Sequence, residues 1–259
     1  MKKCMSTNLI QGKDREILRA LAQKQLEYAH SPKNDEILKK WKAQAEGRKE
    51  SPTVRLLFSN FTHEVITPRM QCEGKEAREL EWALLSTLVG RELFDDDTPI
   101  SPTFDIRWDV SVSPFGIQPH LTHPDMKNAQ GYHIDPVIED LEEEIDKLKG
   151  GSFSVDREKT QKRMELAQET FGDILTPRLI MDSLTGPMTS PIVFLMGMEA
   201  YYCSMYDCPE KVHEAMDMAC TVYEKFYDFL EEEKLLLPTN GISPIAQESF
   251  AFTNELPTE

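Results

Sequence analysis

The stretch from Arg178 to Asn240 constrains the fold more than any other, because it reads as strand, loop, paired helices and strand. Arg178-Leu-Ile-Met-Asp-Ser-Leu184 is an apolar run of the length of a buried parallel strand. Gly186-Pro187 breaks it. One helix is expected from Pro191 to Tyr206 and a longer one from Cys208 to about Lys234. In the longer one Val212, Ala215, Ala219, Val222, Phe226 and Leu230 recur at helical spacing, with Lys211, Glu214, Asp217 and Lys225 opposite. That pattern predicts a helix lying on a sheet with one side wet. Asp207 is read as its cap, three residues before Glu210, and Pro209 fits the first turn. Leu235-Leu-Leu237 then supplies a closing strand, and a strand–helix–strand unit of this kind pairs its strands in parallel.

Upstream, helical periodicity dominates the first hundred residues. Ile17, Leu18, Leu21 and Ala22 mark one helix that ends at Ser31-Pro32, and Ile37, Leu38 and Trp41 mark the next. Val54 to Phe58 reads as a short strand. Glu73 to Phe94 reads as a long helix with Ala77, Leu80, Leu84 and Leu88 inside, closed by Asp95-Asp-Asp97. Phe104 to Val112 alternates apolar and polar residues without a fault, which predicts one continuous strand with one face buried. Pro114 to Asp135 is rich in Pro, Gly, Asn and His and reads as a long loop. Asp135-Pro136 is read as the start of a helix that Gly150-Gly151 stops, and Asp156 as the cap of another that Pro177 ends.

The net charge of −16 excludes nucleic acid and anionic membrane surfaces as partners. No apolar run approaches the ~18 residues of a membrane span, and no secretory h-region follows Met1-Lys-Lys-Cys-Met, so the chain is expected in the cytoplasm. The five cysteines are scattered without a C-x-x-C pair, as free thiols of a reducing compartment would be. There is no G-x-G-x-x-G and no Walker loop, which leaves a (β/α) barrel as the α/β architecture to expect.

At Gly172-Asp-Ile-Leu175, Gly186-Pro187, Leu195-Met-Gly-Met-Glu199 and Asp207-Cys-Pro-Glu-Lys-Val-His213 the chain resembles the uroporphyrinogen decarboxylase (URO-D) superfamily. It is more similar still to that superfamily's uncharacterised bacterial branch, close to the cobamide methyltransferases. That similarity extends over Asp14-Arg-Glu-Ile-Leu18, Gln71-Cys-Glu73, Ala77-Arg-Glu-Leu80 and Asn254-Glu-Leu-Pro257. The resemblance implies an α/β chain with a mostly helical N-terminal extension (1–100) and a TIM-type (β/α) barrel from 101 to 259. The final residues resemble the middle of the family's chain. The sequence thus reads as the front part of a longer protein, and its barrel as partial.

The resemblance also implies an activity: methyl transfer between a corrinoid and a thiol or methylated small molecule, with the corrinoid as substrate. The decarboxylases' Arg-rich M-R-Q-A-G-R motif has no counterpart here, which favours the methyltransferase side. The alternatives are tetrapyrrole decarboxylation and a non-catalytic partial-barrel subunit. The methyltransferases' zinc-holding His-x-Cys pair is missing too, so no metal or other cofactor is expected on this chain itself. Expected partners are a small molecule or a corrinoid protein, and either a second copy or a second chain completing the barrel.

The candidate catalytic residues are Asp109, His133 and Asp182. Asp109 lies late on the 104–112 strand, where barrel sites sit; a polar residue on a wet strand face explains it as well, and Asp105 is the weaker choice on the same strand. His133 matches a histidine of the uncharacterised branch loosely. Asp182 lies late on the 178–184 run. Tyr201 and Asn240 are candidate substrate-binding residues, although packing in a helix and turn chemistry before Gly241 account for them equally well. His120-Leu-Thr-His123 is the one closely spaced histidine pair, and it reads as ordinary loop histidines because a third ligand is wanting.

Overall fold

The computed structural model describes residues 10–48, 51–58, 61–124, 131–181, 187–237, 242–246 and 249–251. Along the chain run α1 (Gly12–Ala29), α2 (Pro32–Ala45), α3 (Thr62–Val65), α4 (Lys75–Phe94), β1 (Thr103–Arg107), β2 (Val110–Ser113), β3 (His120–Thr122) and β4 (His133–Asp135). There follow α5 (Leu141–Glu144), β5 (Ser152–Val155), α6 (Arg157–Phe171), β6 (Thr176–Ile180), α7 (Thr189–Met196), α8 (Met198–Asp207), α9 (Pro209–Glu232), β7 (Ser243–Ala246) and β8 (Ser249–Ala251). The protein is mixed α/β, and among the described residues each sheet has two strands. β1 and β6 are parallel, whereas β2–β5, β3–β4 and β7–β8 are antiparallel. Among the described residues no closed barrel forms, and no helix is long and apolar enough to cross a membrane. The chain divides into two compact units, one of Met1–Trp108, Arg157–Ser183 and Leu237–Glu259, the other of Asp109–Asp156 and Leu184–Leu236.

In the first unit α1, α4 and α6 pack on one face of the parallel pair. Leu18 and Ala22 stand one helical turn apart on α1, as do Leu80 and Leu84 on α4, so both stripes meet Phe104, Ile106, Leu166 and Phe171 in one core. The Phe104 and Phe171 rings meet edge to face with centroids 5.1 Å apart. β1 and β6 are parallel because α6 carries the chain back across the sheet between them. Ser31 closes α1 by donating from Oγ to Tyr28 O at 2.7 Å, and caps α2 by accepting from Asn34 N at 3.3 Å. Asn34 is 1% exposed. Its Nδ2 donates to Ala29 O at 2.9 Å and Ile100 O at 3.0 Å, and its Oδ1 accepts from Ile100 N at 2.9 Å.

Val54 to Phe58 is not a strand. Carboxylates satisfy its amides instead: Val54 N donates to Asp97 Oδ2 at 2.8 Å and Leu56 N to Asp96 Oδ2 at 3.0 Å. Asp96 also accepts from Thr98 N at 3.1 Å and Thr98 Oγ1 at 2.8 Å, so its position is fixed. A Cβ on Gly90 would stand 2.8 Å from Asp96 Oδ2, which explains a glycine inside α4. Gly90→Ala gains up to about 1 kcal/mol of helix propensity but must displace this carboxylate. A net loss of about 1–2 kcal/mol is expected from such overpacking, read as a lowered urea midpoint.

In the second unit α9 carries the predicted stripe, with Ala215, Ala219, Val222, Phe226 and Leu230 buried. It packs against α5, α8 and the 3-10 turn Ile145–Leu148, and Phe226 meets Phe153 of β5 at 5.3 Å. Its partners are therefore mostly helical rather than a broad sheet. Pro209 occupies its first turn, but Cys208 is the N-cap and makes no side-chain cap bond, because Asp207 is still part of α8. The expected 191–206 helix is two, broken at Gly197, whose φ of 81° is open to glycine. The long loop after Pro114 contains a short hairpin, β3–β4, with His120 opposite Asp135. The following helix starts five residues later than Asp135: Asp140 caps it, accepting from Glu142 N at 2.8 Å and Glu143 N at 3.2 Å.

Among the described residues the predicted pairing of the 178–184 run with Leu235-Leu-Leu237 is not formed. β6 pairs with β1 instead, and residues 235–237 form no strand. Leu235 is fully buried and donates its N–H to Leu230 O at 2.9 Å, so this apolar run ends α9 rather than joining a sheet.

Candidate functional site

Of the residues singled out in the sequence, Asp182 and Asn240 lie outside the described residues. The other three fall in separate segments of the second unit. Asp109 is not on a strand, because the 104–112 run breaks at Trp108–Asp109 into β1 and β2, which join different sheets. Its carbonyl accepts from Asp156 N at 2.8 Å, which joins the segments that flank β2 and β5. His133 is exposed on β4, with Nε2 3.8 Å from Asp135 Oδ1. Tyr201 is 4% exposed, packed in the core with its hydroxyl 4.0 Å from Met216 Sδ. Among the described residues no three of His, Cys, Asp and Glu gather into a group able to hold a metal.

The first unit holds a more organised constellation. Alternation along β1 sends Phe104 and Ile106 into the helical core and leaves Thr103 and Asp105 on the opposite face. Asp105 stands in register with Arg178 of β6. Arg178 grips it with both arms, Nε to Oδ1 at 3.0 Å and Nη2 to Oδ2 at 2.9 Å, while Thr103 Oγ1 donates to Oδ1 at 2.8 Å. Arg178 Nη2 also reaches Ile242 O at 3.4 Å. A bidentate pair held by a third donor fixes both charges in one geometry. Asp105 was weighed from sequence, but its partner could not be, since 73 residues separate the two. The available signal was opposite charge near the start of the two predicted strands.

Beside this pair, at the edge of β1, opens a depression of about 1010 Å3 between α4 and α6. Leu80, Ala83, Phe104, Ile106 and Leu166 form its floor, and Trp82, Met70 and His63 stand around it. Lys75 and Arg78 reach it from α4, Lys159 and Arg163 from α6, and Arg107 from the end of β1. Glu76, Glu79 and Asp105 are its carboxylates.

Three of the segments that carried the family resemblance, Asp14–Leu18, Gln71–Glu73 and Ala77–Leu80, meet in the first unit. Asp14 of α1 accepts from Glu73 N at 3.1 Å and Gly74 N at 2.8 Å, capping the entry to α4 from another helix. Glu81 is fully buried and accepts from Gln71 N at 2.6 Å and Cys72 N at 3.0 Å. Burial, with the nearby Glu81 and Asp14 carboxylates adding to it, pushes the Cys72 thiol up to about 12. Cys72 is thus an inert core thiol rather than a nucleophile. These motifs secure the α1–α4 packing.

Arg19 grips Asp173 at 2.6 and 2.7 Å and donates to Thr170 O at 3.1 Å, closing the end of α6. The Arg19 hydrogen bond holds the Asp173 carboxyl down at about 2. Because this value lies below that of an unfolded aspartate, the pair's contribution is present above about pH 4 and fades as pH falls towards 2. Carboxyl-carbon NMR is expected to give Asp173 a midpoint of about 2, rising towards ~3.9 in Arg19→Ala.

No family model, curated protein or solved structure matches the chain.

Proposed function

We propose that the chain is a uroporphyrinogen-decarboxylase-type protein of the corrinoid-linked methyl-transfer side, acting on a corrinoid as substrate through a partial (β/α) barrel. One observation carries the reading: β1 and β6 are parallel, connect through α6, bury one face under helices and present Thr103, Asp105 and Arg178 on the other. Parallel strands with one face covered by helices are the layering of a barrel wall. In this reading Arg178 and Asp105 orient the polar side groups of the substrate, and Thr103 keeps the carboxylate from turning away. The reading gives no step to a metal held by this chain. The order of the motifs along the sequence supports it independently.

Titration with hydroxocobalamin followed by absorbance tests this. A saturable spectral change is expected in the intact chain and a weakened one in Thr103→Val, which removes the hydroxyl at little cost in shape. No spectral change at any corrinoid concentration overturns the reading.

Tetrapyrrole decarboxylation is the second reading, and the cationic lining beside Asp105 favours it, since the substrates of such a reaction are polycarboxylates. Calorimetry with a coproporphyrinogen distinguishes it from the first. The subunit reading rests on β1 and β6 having only each other as strand partners among the described residues. Strand edges left open in this way invite a second copy or another chain, and light scattering at low micromolar concentration shows whether the chain associates.

A further inference from the structure

We infer that the outward face of α8 is a docking surface for an amphipathic helix of a partner protein, one with lysine or arginine beside its apolar face. The inference stands on the second unit alone and is independent of the corrinoid reading.

Burial of α8 is one-sided. Tyr201 and Ser204 are buried, and Ala200 and Tyr201 pack into the core of the second unit. On the other side Met198, Tyr202, Met205 and Tyr206 are 57%, 59%, 46% and 89% exposed. At about 100° per residue these four fall within about 100° of arc around the helix axis, so they form one ridge. Charged and polar residues ordinarily take the wet side of a surface helix. Here α8 carries no lysine or arginine, and its two charged residues, Glu199 and Asp207, lie to one side of the ridge. Large apolar side chains exposed singly are ordinary, but four on adjacent turns make a continuous strip of the kind that marks an interaction site. Tyrosine is enriched at binding hot spots, and methionine adapts its shape to an apolar partner.

Size points to a helix as the occupant. α8 has ten residues, so its ridge is about 15 Å long. A strip so short and narrow falls below the roughly 800 Å2 that each partner gives to a standard globular interface. It matches two to three turns of a helix packed along it.

Charge selects the chemistry of that helix. Glu199 and Asp207 have no cationic partner among the described residues, and Asp207 stands at the C-terminal end of α8, where the helix dipole is already negative. Glu210 adds a carboxylate in the first turn of α9, and Lys211 beside it is already paired with Glu214. A second copy of this chain would set these carboxylates against their own kind and bring its own net charge of −16. Lysine or arginine along one side of the partner's apolar face complements them.

The experiment is a fluorescence-anisotropy titration of the full chain into a fluorescein-labelled amphipathic helical peptide built of leucine and lysine. A peptide with the same leucine face and glutamate in place of lysine serves for comparison. Saturable binding of the lysine peptide is expected, weakened about tenfold or more by Tyr202→Ser with Tyr206→Ser, which leaves the charge unchanged. Glu199→Gln with Asp207→Asn should weaken it about threefold at low salt and flatten its salt dependence. Two control pairs should leave the affinity nearly unchanged. Leu93→Ser with Phe94→Ser removes exposed apolar surface from α4, and Glu231→Gln with Glu232→Gln removes the same charge at the far end of α9. If the tyrosine pair lowers the thermal midpoint, Tyr206→Ser alone takes its place, because that side chain is the most exposed of the four. Unchanged affinity in the tyrosine variants, control pairs that weaken binding as much as the α8 pairs, or equal affinity for the glutamate peptide overturns the proposal. So does a dimer of the chain that Tyr206→Ser dissociates, since a second copy then covers the ridge.

Discussion

Phe171→Ala should lower the unfolding free energy by about 3–5 kcal/mol, the range for removing a buried aromatic ring. Phe171 is fully buried where α1, α4, α6 and β1 meet, and its ring packs edge to face on Phe104. The substitution removes the transfer free energy of the ring and opens a cavity that three helices and a strand cannot all close on. Phe171→Leu retains most of the volume and should cost less, about 1–2 kcal/mol. Urea unfolding of both variants, followed by far-UV circular dichroism, gives the comparison. A loss under 1 kcal/mol for the alanine variant would mean that the first unit is not built around this ring.

The second large effect is expected at Asn34, where a single amide joins the α1–α2 junction to Ile100. Asn34→Ala leaves the Ile100 N–H and C=O without their partner in a place where Ile100 is fully buried. It also releases Ala29 O. Each orphaned buried group costs about 1–3 kcal/mol when no water replaces the partner, so a total of about 3 kcal/mol is expected. Asn34→Asp keeps the acceptor for Ile100 N but places a carboxylate against two carbonyl oxygens, and it should be at least as damaging near neutral pH. Thermal unfolding at pH 7 and pH 4 separates the two effects. Only the aspartate variant should recover part of its stability at the lower pH, where protonation restores a donor.

Helices were the most legible part of this chain, for a local reason. α1, α4 and α9 announce themselves through apolar residues three and four apart, and the faces so predicted are the faces that are buried. Ser31-Pro32 and Pro209 marked helix ends through their own chemistry. Capping was less legible where the cap came from elsewhere. Nothing local says that Asp14 caps α4, or that Asp96 and Asp97 hold an extended stretch that reads as a strand.

The 104–112 run shows where local reading stops. Its alternation correctly places Phe104 and Ile106 inside, yet the period of a strand says which face is buried and nothing about its partner. The strand breaks at Trp108–Asp109, β1 pairs with β6 and β2 with β5, and Asp109 loses the strand-end position expected for it. The apolar Leu235-Leu-Leu237 was equally ambiguous, since a short apolar run suits a helix terminus as well as a strand.

By itself the sequence determined a mixed α/β protein, the positions of the main helices and which residues of β1 are buried. Tertiary structure alone decided the strand pairing, the bidentate Asp105–Arg178 contact and the gathering of Lys75, Arg78, Arg107, Lys159 and Arg163 around one apolar floor. The physical reason is that helical faces arise from contacts within a few residues. Parallel pairing and a cavity lining are set by which distant segments bury their apolar faces together, a choice that no local period records.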